Sequence, residues 1–397
     1  MSQSFDVAVI GSGPAGSMTA KTAAENGHRT LMIDRRKIVG IPIQCGELIP
    51  TPREAKNLFP SSKRMPHAVH VPRKFITNRT STIRLVSPSG RFFEFPFEAH
   101  IVDRGAYDQY LAENAQDAGA EVRLNTKLVS RNDTNNLVLK SRDSDNITTA
   151  KIVIGADGSR SKIAESLGSQ YAHSEFDLSP SLQYVMENSD VEPTVVEMHF
   201  GSVAPGGYAW VIPKGEGRVN IGFGMRRQLA KSEIPLRQYL NRFAYRNEHV
   251  TPMLTEAKIV SRVGAIIPVG GPLEKTWSSN VLLVGDAAGH VMASNGGGIP
   301  TALCGGLIAG ETVSKHLESG ISLSQYEKVW RNEFGKELDT ALRVLRVADK
   351  VMPSDAVTDI CMRLAGVRFL EPLIRCRLPP LVDFASKTLV RILNQFL

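Results

Sequence analysis

Three glycines and an aspartate near the start of the chain have the types and spacing of a dinucleotide site. Gly11, Gly13 and Gly16 form the pattern G-x-G-x-x-G, and Asp34 follows the third glycine after 18 residues. The first glycine permits a tight turn, the second lets backbone approach a pyrophosphate, and the third lets a helix pack closely on a strand. An acidic side chain at this distance can accept a hydrogen bond from a ribose hydroxyl. A glycine-rich turn without a ligand is the alternative.

A second cluster lies late in the chain, around Asp286 and a run of glycines. Asp286 follows the apolar residues 281–284, and residues 296–298 are three glycines that precede Ile299 and a stretch of small residues. One carboxylate beside a glycine-rich helix start can bind the hydroxyls of a polyol, while backbone amides around Gly298 and Ile299 can face the carbonyl edge of an oxidised ring. A strand, a turn and a capped helix without a ligand would leave the same pattern.

The elements that must position these residues can be read from hydrophobic periodicity. Residues 5–10 predict a buried strand, the following stretch to Asn26 predicts a helix, and residues 29–33 predict a second strand. Residues 181–270, interrupted by Pro-Gly turns, predict an antiparallel sheet, to which residues 50–100 add strands. The chain from 325 onward predicts helices. We therefore expect an α/β fold, α+β overall.

Composition excludes several classes of protein. The 397 residues are 42% apolar and 22% charged, which is typical of a globular chain and not of a disordered one. The four cysteines have no metal-ligand spacing, so we expect no metal site and a reducing, cytoplasmic setting. We also expect no signal peptide, no spanning helix and, despite the net charge of +7, no nucleic-acid partner.

Taken together, three blocks resemble the FAD-binding enzymes of the para-hydroxybenzoate hydroxylase superfold. They are the glycine motif at residues 11–16, the segment I-G-A-D-G at residues 154–158, and V-G-D-A-A-G at residues 284–289. The resemblance implies a Rossmann-like FAD-binding domain, a discontinuous antiparallel substrate domain and C-terminal helices. The predicted boundaries are 1–50, 100–180 and 272–320 for the FAD domain, 51–99 and 181–271 for the substrate domain, and 321–397 for the helices.

Within that superfold, the chain is similar to the geranylgeranyl reductase family, in particular to its archaeal branch acting on digeranylgeranylglycerophospholipids. Residues 44–47 (Q-C-G-E) resemble its R-C-G-E segment, and residues 205–213 (P-G-G-Y-A-W-V-I-P) resemble its lipid-cavity motif. Residues 102–104 (V-D-R) resemble a segment whose arginine contacts the cofactor. The chain departs from the family at Gln44, Leu48 and Ala293, where arginine, glycine and proline are usual.

The resemblance implies FAD as the cofactor and assigns residues to it. The implied cofactor-binding residues are Gly11, Gly13, Ala15, Gly16, Asp34, Cys45, Gly46, Leu48, Arg104, Val122, Asp286, Gly298 and Ile299. It also implies a reductase that saturates double bonds of geranylgeranyl chains in archaeal-type ether phospholipid precursors, with a reduced nicotinamide, a deazaflavin or ferredoxin as electron donor. A monooxygenase, halogenase or quinone-linked dehydrogenase on the same fold, and a non-catalytic isoprenoid carrier, are the alternatives.

Reduction of an isolated alkene needs a hydride, a proton and a dry cavity. Cys45, nearest the flavin by resemblance, is the candidate proton donor or positioning contact, although it can also be a packing residue. Tyr208 and Trp210 are two residues apart, so on a strand both rings point to one face and can line an isoprenoid cavity. They can equally belong to an ordinary half-buried strand.

For four other residues the sequence favours a structural role or offers two roles. His290 is expected to be a hydrogen-bonded structural histidine, and Asp157 to serve either the cofactor region or a helix cap. Lys214 and Arg218 flank a hairpin turn, which favours surface charge over a phosphate site.

The C-terminal 37 residues concentrate positive charge. Residues 361–397 contain six basic and two acidic residues, a net +4. Within residues 381–397, Leu381, Phe384, Leu389 and Phe396 have helical spacing with Lys387 and Arg391 on another face. The pattern predicts a helix that either lies on an anionic membrane, placing the protein peripherally at its inner face, or docks on the protein itself.

Overall fold

Two β-sheets organise the chain, and the computed structural model describes residues 3–132, 136–141, 145–230 and 234–378. The strands are β1 (Gln3–Ile10), β2 (Thr30–Ile33), β3 (Leu48–Pro50), β4 (Ile76–Val86), β5 (Phe92–Val102), β6 (Glu121–Arg123), β7 (Lys127–Arg131), β8 (Asn136–Lys140), β9 (Asp145–Gly155), β10 (Leu178–Glu187), β11 (Val195–His199), β12 (Tyr208–Gly215), β13 (Arg218–Gly224), β14 (Lys258–Pro268), β15 (Trp277–Ser278) and β16 (Val281–Leu283).

The helices lie around these sheets and at the end of the described chain. They are α1 (Pro14–Glu25), α2 (Pro52–Leu58), α3 (Met65–Ala68), α4 (Arg104–Asp117), α5 (Lys162–Ser166), α6 (Leu236–Arg246), α7 (Val250–Met253), α8 (Ile299–Ser319), α9 (Ser324–Trp330), α10 (Lys336–Val351) and α11 (Asp355–Ile374).

The first sheet has the parallel core of a nucleotide-binding fold. Its order is β15-β16-β9-β1-β2-β6, with β8 and β7 continuing antiparallel from β9. Strand β1 pairs in parallel with β2 on one side and β9 on the other. Val7, Ala8 and Val9 are all fully buried, as expected for a strand covered on both faces. The carboxyl ends of β1, β2 and β16 therefore open toward one edge of the sheet.

Helix α1 follows β1 directly and packs against α8. Gly13 is its N-cap, and Pro14 occupies the first turn, where no amide hydrogen is needed. Small residues allow the two helices to approach closely: a Cβ on Gly306 would lie 2.3 Å from the carbonyl oxygen of Ala15. The approach places the start of α8 beside the glycine turn that precedes α1.

The second sheet has the order β14-β10-β13-β12-β11-β4-β5-β3. Its pairs are antiparallel except that β11 runs parallel to β4, an exception that the sequence did not predict. Strand β5 shows the period of a half-buried strand, since Phe93, Phe95 and Phe97 are buried while Phe92 is 44% exposed. Helix α6 covers one face of the sheet, and the other face packs toward the first sheet.

The predicted fold class is confirmed: a parallel nucleotide-binding sheet, a largely antiparallel second sheet and C-terminal helices. The division into domains remains a prediction. Near the predicted boundary at residue 50 the chain enters the second sheet, because β3 at residues 48–50 pairs with the end of β5. Within the described residues, no helix combines the length and apolar character needed to cross a membrane. The predicted amphipathic helix at 381–397 lies outside them.

Candidate functional site

The glycine turn between β1 and α1 is tight and leaves open room on one side. Gly11 has φ +108°, and a Cβ there would lie 2.3 Å from the carbonyl oxygen of Ala156. A Cβ on Gly16 would lie 1.9 Å from the carbonyl oxygen of Gly11, so both positions exclude a side chain. A Cβ on Gly13 would meet no protein atom within 4 Å. The room beside Gly13, at the N-terminus of α1, suits an anionic ligand.

Asp34 ties the end of β2 to this turn. Its Oδ2 accepts hydrogen bonds from the Ser12 backbone N–H (3.0 Å) and hydroxyl (2.7 Å), and its Oδ1 accepts from the Arg36 N–H at 2.8 Å. A carboxylate has about four acceptor positions. One position therefore remains for a hydroxyl donor such as a ribose, and the carboxylate is held in place to receive it.

Asp286 is half-buried near the start of α8, with its carboxylate available to a ligand. Burial raises the pKa of its carboxyl group, yet no donor within the described residues bonds its side chain. A Cβ on Gly298, the N-cap of α8, would lie 3.5 Å from Oδ1 of Asp286. Gly285 in turn contacts Ala15 of α1, where a Cβ would lie 3.0 Å from the alanine methyl. The two glycine motifs thus converge, and their donor and acceptor groups fit FAD: pyrophosphate at Gly13 and hydroxyls at Asp286.

The loop carrying Cys45 is held by side chains of the second sheet. The carbonyl oxygen of Cys45 accepts hydrogen bonds from Gln183 Nε2 at 3.0 Å and from Asn220 Nδ2 at 3.3 Å. Its Sγ accepts from the backbone N–H of Glu47 at 3.1 Å. Burial raises the pKa of the Cys45 thiol, with nearby Arg104 acting in the opposite direction. The thiol is therefore held in its neutral, protonated form at physiological pH.

Beneath this loop lies an ion pair that the sequence did not predict. Glu47 is fully buried and its carboxylate bonds the ammonium of Lys214, whose side chain is only 10% exposed. The backbone N–H of Arg104 lies 3.4 Å from the other carboxylate oxygen of Glu47. The expectation of surface charge at Lys214 is therefore wrong. A buried carboxylate needs a counter-ion, and Lys214 supplies it while connecting the Cys45 loop to β12.

Arg104 lies at the start of α4 and is itself neutralised. Its Nε and Nη2 donate to the two carboxylate oxygens of Asp108, at 2.9 and 2.8 Å. Nη1 makes no hydrogen bond within the described residues, so its two N–H groups remain for a ligand. Two further residues assigned by resemblance lie on strands: Leu48 pairs with Ile101 at the end of β5, and Val122 pairs with Met32 of β2.

Tyr208 and Trp210 share one face of β12, as the spacing predicts. Their ring centroids are 5.9 Å apart, and Trp210 Nε1 donates to Asn220 Oδ1 at 2.8 Å. The Trp210 ring lies over Gly222, where a Cβ would lie 2.3 Å from Cζ2. The Tyr208 hydroxyl donates to the carbonyl oxygen of Asn295, just before the triple glycine, and burial raises the pKa of that hydroxyl. The aromatic pair therefore faces both the Cys45 loop and the 296–298 turn.

Several other candidates lie outside this convergence. Asp157 accepts from the Ser161 hydroxyl (2.5 Å) and the Lys162 N–H (2.7 Å), which is the helix-capping arrangement at α5. Arg218 pairs with Glu187 at the surface. His290 is fully buried among Tyr326, Trp330 and Phe334, but neither ring nitrogen has a hydrogen-bond partner in the described part of the chain. The prediction of a hydrogen-bonded histidine is wrong, because aromatic rings surround it, and its pKa falls to about 3.

The Cys45 loop is held by three side chains that the sequence did not assign to it: Lys214, Asn220 and Gln183. Lys214 has the even spacing of Tyr208 and Trp210 along β12, but the pairing of β12 with β13 shifts register between Pro213 and Gly215. Strand alternation alone therefore does not fix the face of Lys214. Asn220, fully buried on β13, lies across from Ile212 in the same register. Gln183 carries no such local signal, because its contact with Cys45 joins residues 138 positions apart.

We expect the Cys45 thiol to react slowly with iodoacetamide at pH 7. Because the pKa of Cys45 is raised, its thiolate fraction is smaller than that of an ordinary thiol. The fraction falls tenfold for each unit by which the pKa is raised. Peptide mass spectrometry should find exposed Cys361 alkylated at least about tenfold faster than Cys45. The Cys45 rate should keep rising at pH values where an ordinary thiol has levelled off. Equal rates at pH 7 for the two cysteines would contradict this environment.

Comparisons with known proteins bear on both halves of this site. Residues 177–267 match the geranylgeranyl reductase catalytic domain, and residues 5–183 match the pyridine nucleotide-disulphide oxidoreductase family. A digeranylgeranylglycerophospholipid reductase of Methanosarcina acetivorans is 36% identical, covering 87% of this chain and 84% of the relative. The chain belongs to the geranylgeranyl reductase family. This is a family of FAD-dependent oxidoreductases, and the resemblance seen in the sequence is confirmed.

Three further proteins are similar to this chain, the last of them in fold alone. Digeranylgeranylglycerophospholipid reductase 2 of Methanopyrus kandleri is 34% identical, with 86% of each chain covered. A crystal structure of a geranylgeranyl bacteriochlorophyll reductase-like protein from Thermoplasma acidophilum superposes with a TM-score of 0.84 at 26% identity, covering 98% of this chain and all of the other. The myxobacterial chondrochloren halogenase shares the fold. It is 18% identical and superposes with a TM-score of 0.69, covering 99% of this chain and 90% of the halogenase chain.

Proposed function

We propose that this family member is an FAD-dependent reductase that saturates double bonds of geranylgeranyl chains in ether phospholipid precursors. The observation that carries the proposal is the convergence of three parts: the Cys45 loop, the aromatic face of Tyr208 and Trp210, and the glycine turn at 296–298. Relatives named digeranylgeranylglycerophospholipid reductase at 33 to 36% identity support the choice of substrate.

The cofactor residues of the proposal divide by chemistry. Backbone amides beside Gly13 and Ala15 would receive the pyrophosphate, and Asp34 and the backbone of Val122 would receive the adenosine end. The flavin end would be held by Asp286, Gly298, Ile299 and the Nη1 donors of Arg104, next to Cys45, Gly46 and Leu48. A reduced flavin, when bound, supplies the hydride for alkene reduction.

The chain itself would contribute three things to the chemistry: a cavity that excludes water, the positioning of the alkene, and a proton. The rings of Tyr208 and Trp210 present apolar area without demanding hydrogen bonds from a hydrocarbon, since their polar atoms already bond Asn295 and Asn220. The neutral thiol of Cys45 holds a proton at the same place. We propose that Sγ of Cys45 delivers this proton to the alkene carbon that does not receive the hydride, and that the resulting thiolate is reprotonated from solvent.

The proposal is tested by separating cofactor retention from turnover in Cys45→Ala. We expect the variant to keep its flavin absorbance, because the loop is held through the Cys45 carbonyl, and to lose about 100-fold in alkene turnover, the scale of one acid catalyst. Cys361→Ser, at an exposed cysteine, is the matched control and should be unchanged. Unchanged turnover in Cys45→Ala would show that the thiol has no chemical role in the reaction.

A monooxygenase or halogenase on the same fold makes a different prediction for oxygen. The reductase should form its product without oxygen, with the reduced flavoprotein reoxidised by the lipid alone. Oxygen consumed in proportion to product would overturn the reductase assignment. A non-catalytic isoprenoid carrier would purify without flavin. The room beside Gly13, and the Asp286 carboxylate beside Gly298, argue against it.

A further inference from the structure

Helix α11 exposes an apolar stripe to solvent. Val357, Ile360 and Leu364 are 43, 46 and 76% exposed, and their spacing of three and then four residues puts them on one helical face. Cys361 is exposed between them. Scattered exposed apolar side chains are common, but three in register on one helix form a contiguous patch of the kind that marks an interaction surface.

Two acidic residues in the first turns of the same helix are held by loops of the protein. Asp355 accepts hydrogen bonds from the backbone N–H and the hydroxyl of Ser202, both at 2.6 Å. Asp359 accepts from the hydroxyl of Ser87 at 2.5 Å, with Ser89 alongside. Both carboxylates are therefore committed to loops of the protein. The charged residue between Ile360 and Leu364 in the sequence is Arg363, which is exposed.

A basic cavity adjoins the start of the stripe. It has a volume of about 650 Å³ and lies between α6 and the first residues of α11, so that Ser354 and Asp355 form part of its wall. Arg242 and Arg246, one turn apart on α6, line the opposite wall, and Tyr245 between them is 45% exposed. Neither arginine forms an ion pair within the described residues. Two arginines without an ion pair in the described part of the chain thus line a cavity that reaches the first residues of the helix carrying the stripe.

We propose that this surface docks on a bilayer of anionic phospholipid. We call it the α6–α11 surface, and its residues are Arg242, Tyr245, Arg246, Val357, Ile360 and Leu364. The apolar stripe would enter the boundary between head groups and acyl chains, and the arginines would meet lipid phosphates, as in peripheral amphipathic helices. The proposal goes beyond the proposed function, because vesicle binding needs neither cofactor nor turnover.

Charge favours the bilayer over the other possible occupants of this face. A second copy of the chain would bring the same arginines against one another, which is unfavourable. Residues 379–397 carry Lys387 and Arg391 against a single acid, Asp383, so they too are a poor electrostatic match for Arg242 and Arg246. An anionic lipid surface complements both features of the α6–α11 surface at once.

Co-sedimentation of the full chain with vesicles tests the proposal. The protein should bind vesicles of equimolar phosphatidylcholine and phosphatidylglycerol and not pure phosphatidylcholine. Leu364→Asp, and the double variant Arg242→Gln/Arg246→Gln, should each weaken binding about tenfold. The matched controls are Ile147→Asp, at a residue 57% exposed on β9, and Arg53→Gln/Lys56→Gln on α2, and both should bind like the wild type.

Three results would overturn the proposal. The first is undiminished binding by both α6–α11 variants when circular dichroism shows them folded. The second is binding that disappears on deletion of 379–397 but not in Leu364→Asp. The third is a dimer that Leu364→Asp dissociates without changing vesicle binding. Turnover of detergent-dispersed lipid, which should be unchanged in Leu364→Asp, keeps failure of this proposal separate from failure of the reductase assignment.

Discussion

Gly13→Val should give a folded protein that no longer holds FAD. A Cβ at position 13 would meet no protein atom within 4 Å, and the backbone φ of −70° there suits any residue. The substitution should therefore leave the fold unchanged. The same side chain would occupy the room proposed for the pyrophosphate. Loss of two charge-assisted hydrogen bonds, at about 1.5 kcal/mol each, corresponds to affinity weakened about 100-fold. Titration of the apoprotein with FAD measures this effect.

Gly16→Ala is the contrasting variant. Its methyl group would lie 1.9 Å from the carbonyl oxygen of Gly11, so it should lower the thermal stability of the apoprotein as well as FAD affinity. Gly13→Val should leave that stability close to wild type. If Gly13→Val binds FAD normally, the pyrophosphate does not pass beside this glycine. If it unfolds like Gly16→Ala, the room beside Gly13 belongs to the fold and not to a ligand.

Lys214→Met should have the largest effect on stability among charged-residue variants around Cys45. It removes the counter-ion of a fully buried carboxylate, that of Glu47, and such a loss costs about 3 kcal/mol of unfolding free energy. The Cys45 loop would also lose its link to β12, so turnover should fall further than FAD affinity. Urea unfolding and steady-state turnover measure the two consequences.

The double variant Glu47→Gln/Lys214→Met separates the ion pair from simple loss of a side chain. Removing both charges leaves no unpaired carboxylate, so most of the lost stability should return. Lys140→Met, at an exposed lysine at the end of β8, is the matched control and should change stability by less than about 0.5 kcal/mol. A double variant no more stable than Lys214→Met would contradict the assignment of Glu47 as the destabilised partner.

The first βαβ unit and the paired aromatics could be predicted because their signals are local. A glycine pattern between strand and helix, and two aromatics at strand spacing, depend on contacts within a few residues of one another. The start of the helix at Ile299 followed from its glycine-rich approach for the same reason, although the helix runs on to Ser319. Helices α9 to α11 likewise lie where the C-terminal pattern placed them.

What could not be predicted depends on partners that are distant in sequence. Glu47 and Lys214 are 167 residues apart, and only the folded second sheet brings them together. The parallel pairing of β11 with β4 is likewise set by sheet order and not by either strand's composition. His290 was expected to find a hydrogen-bond partner, but the surrounding rings come from the α9 region, about 40 residues later.

The mass of the lipid product tests the central claim most directly. That claim is that the protein reduces isoprenoid double bonds at the site formed by the Cys45 loop, the aromatic face and the glycine turn. Flavin-reduced wild-type protein should be incubated without oxygen with an unsaturated geranylgeranyl ether lipid, and the extracted lipid examined by mass spectrometry. We predict products heavier than the substrate by successive pairs of hydrogen atoms. A lipid of unchanged mass, or one that gains oxygen when air is admitted, would contradict the claim.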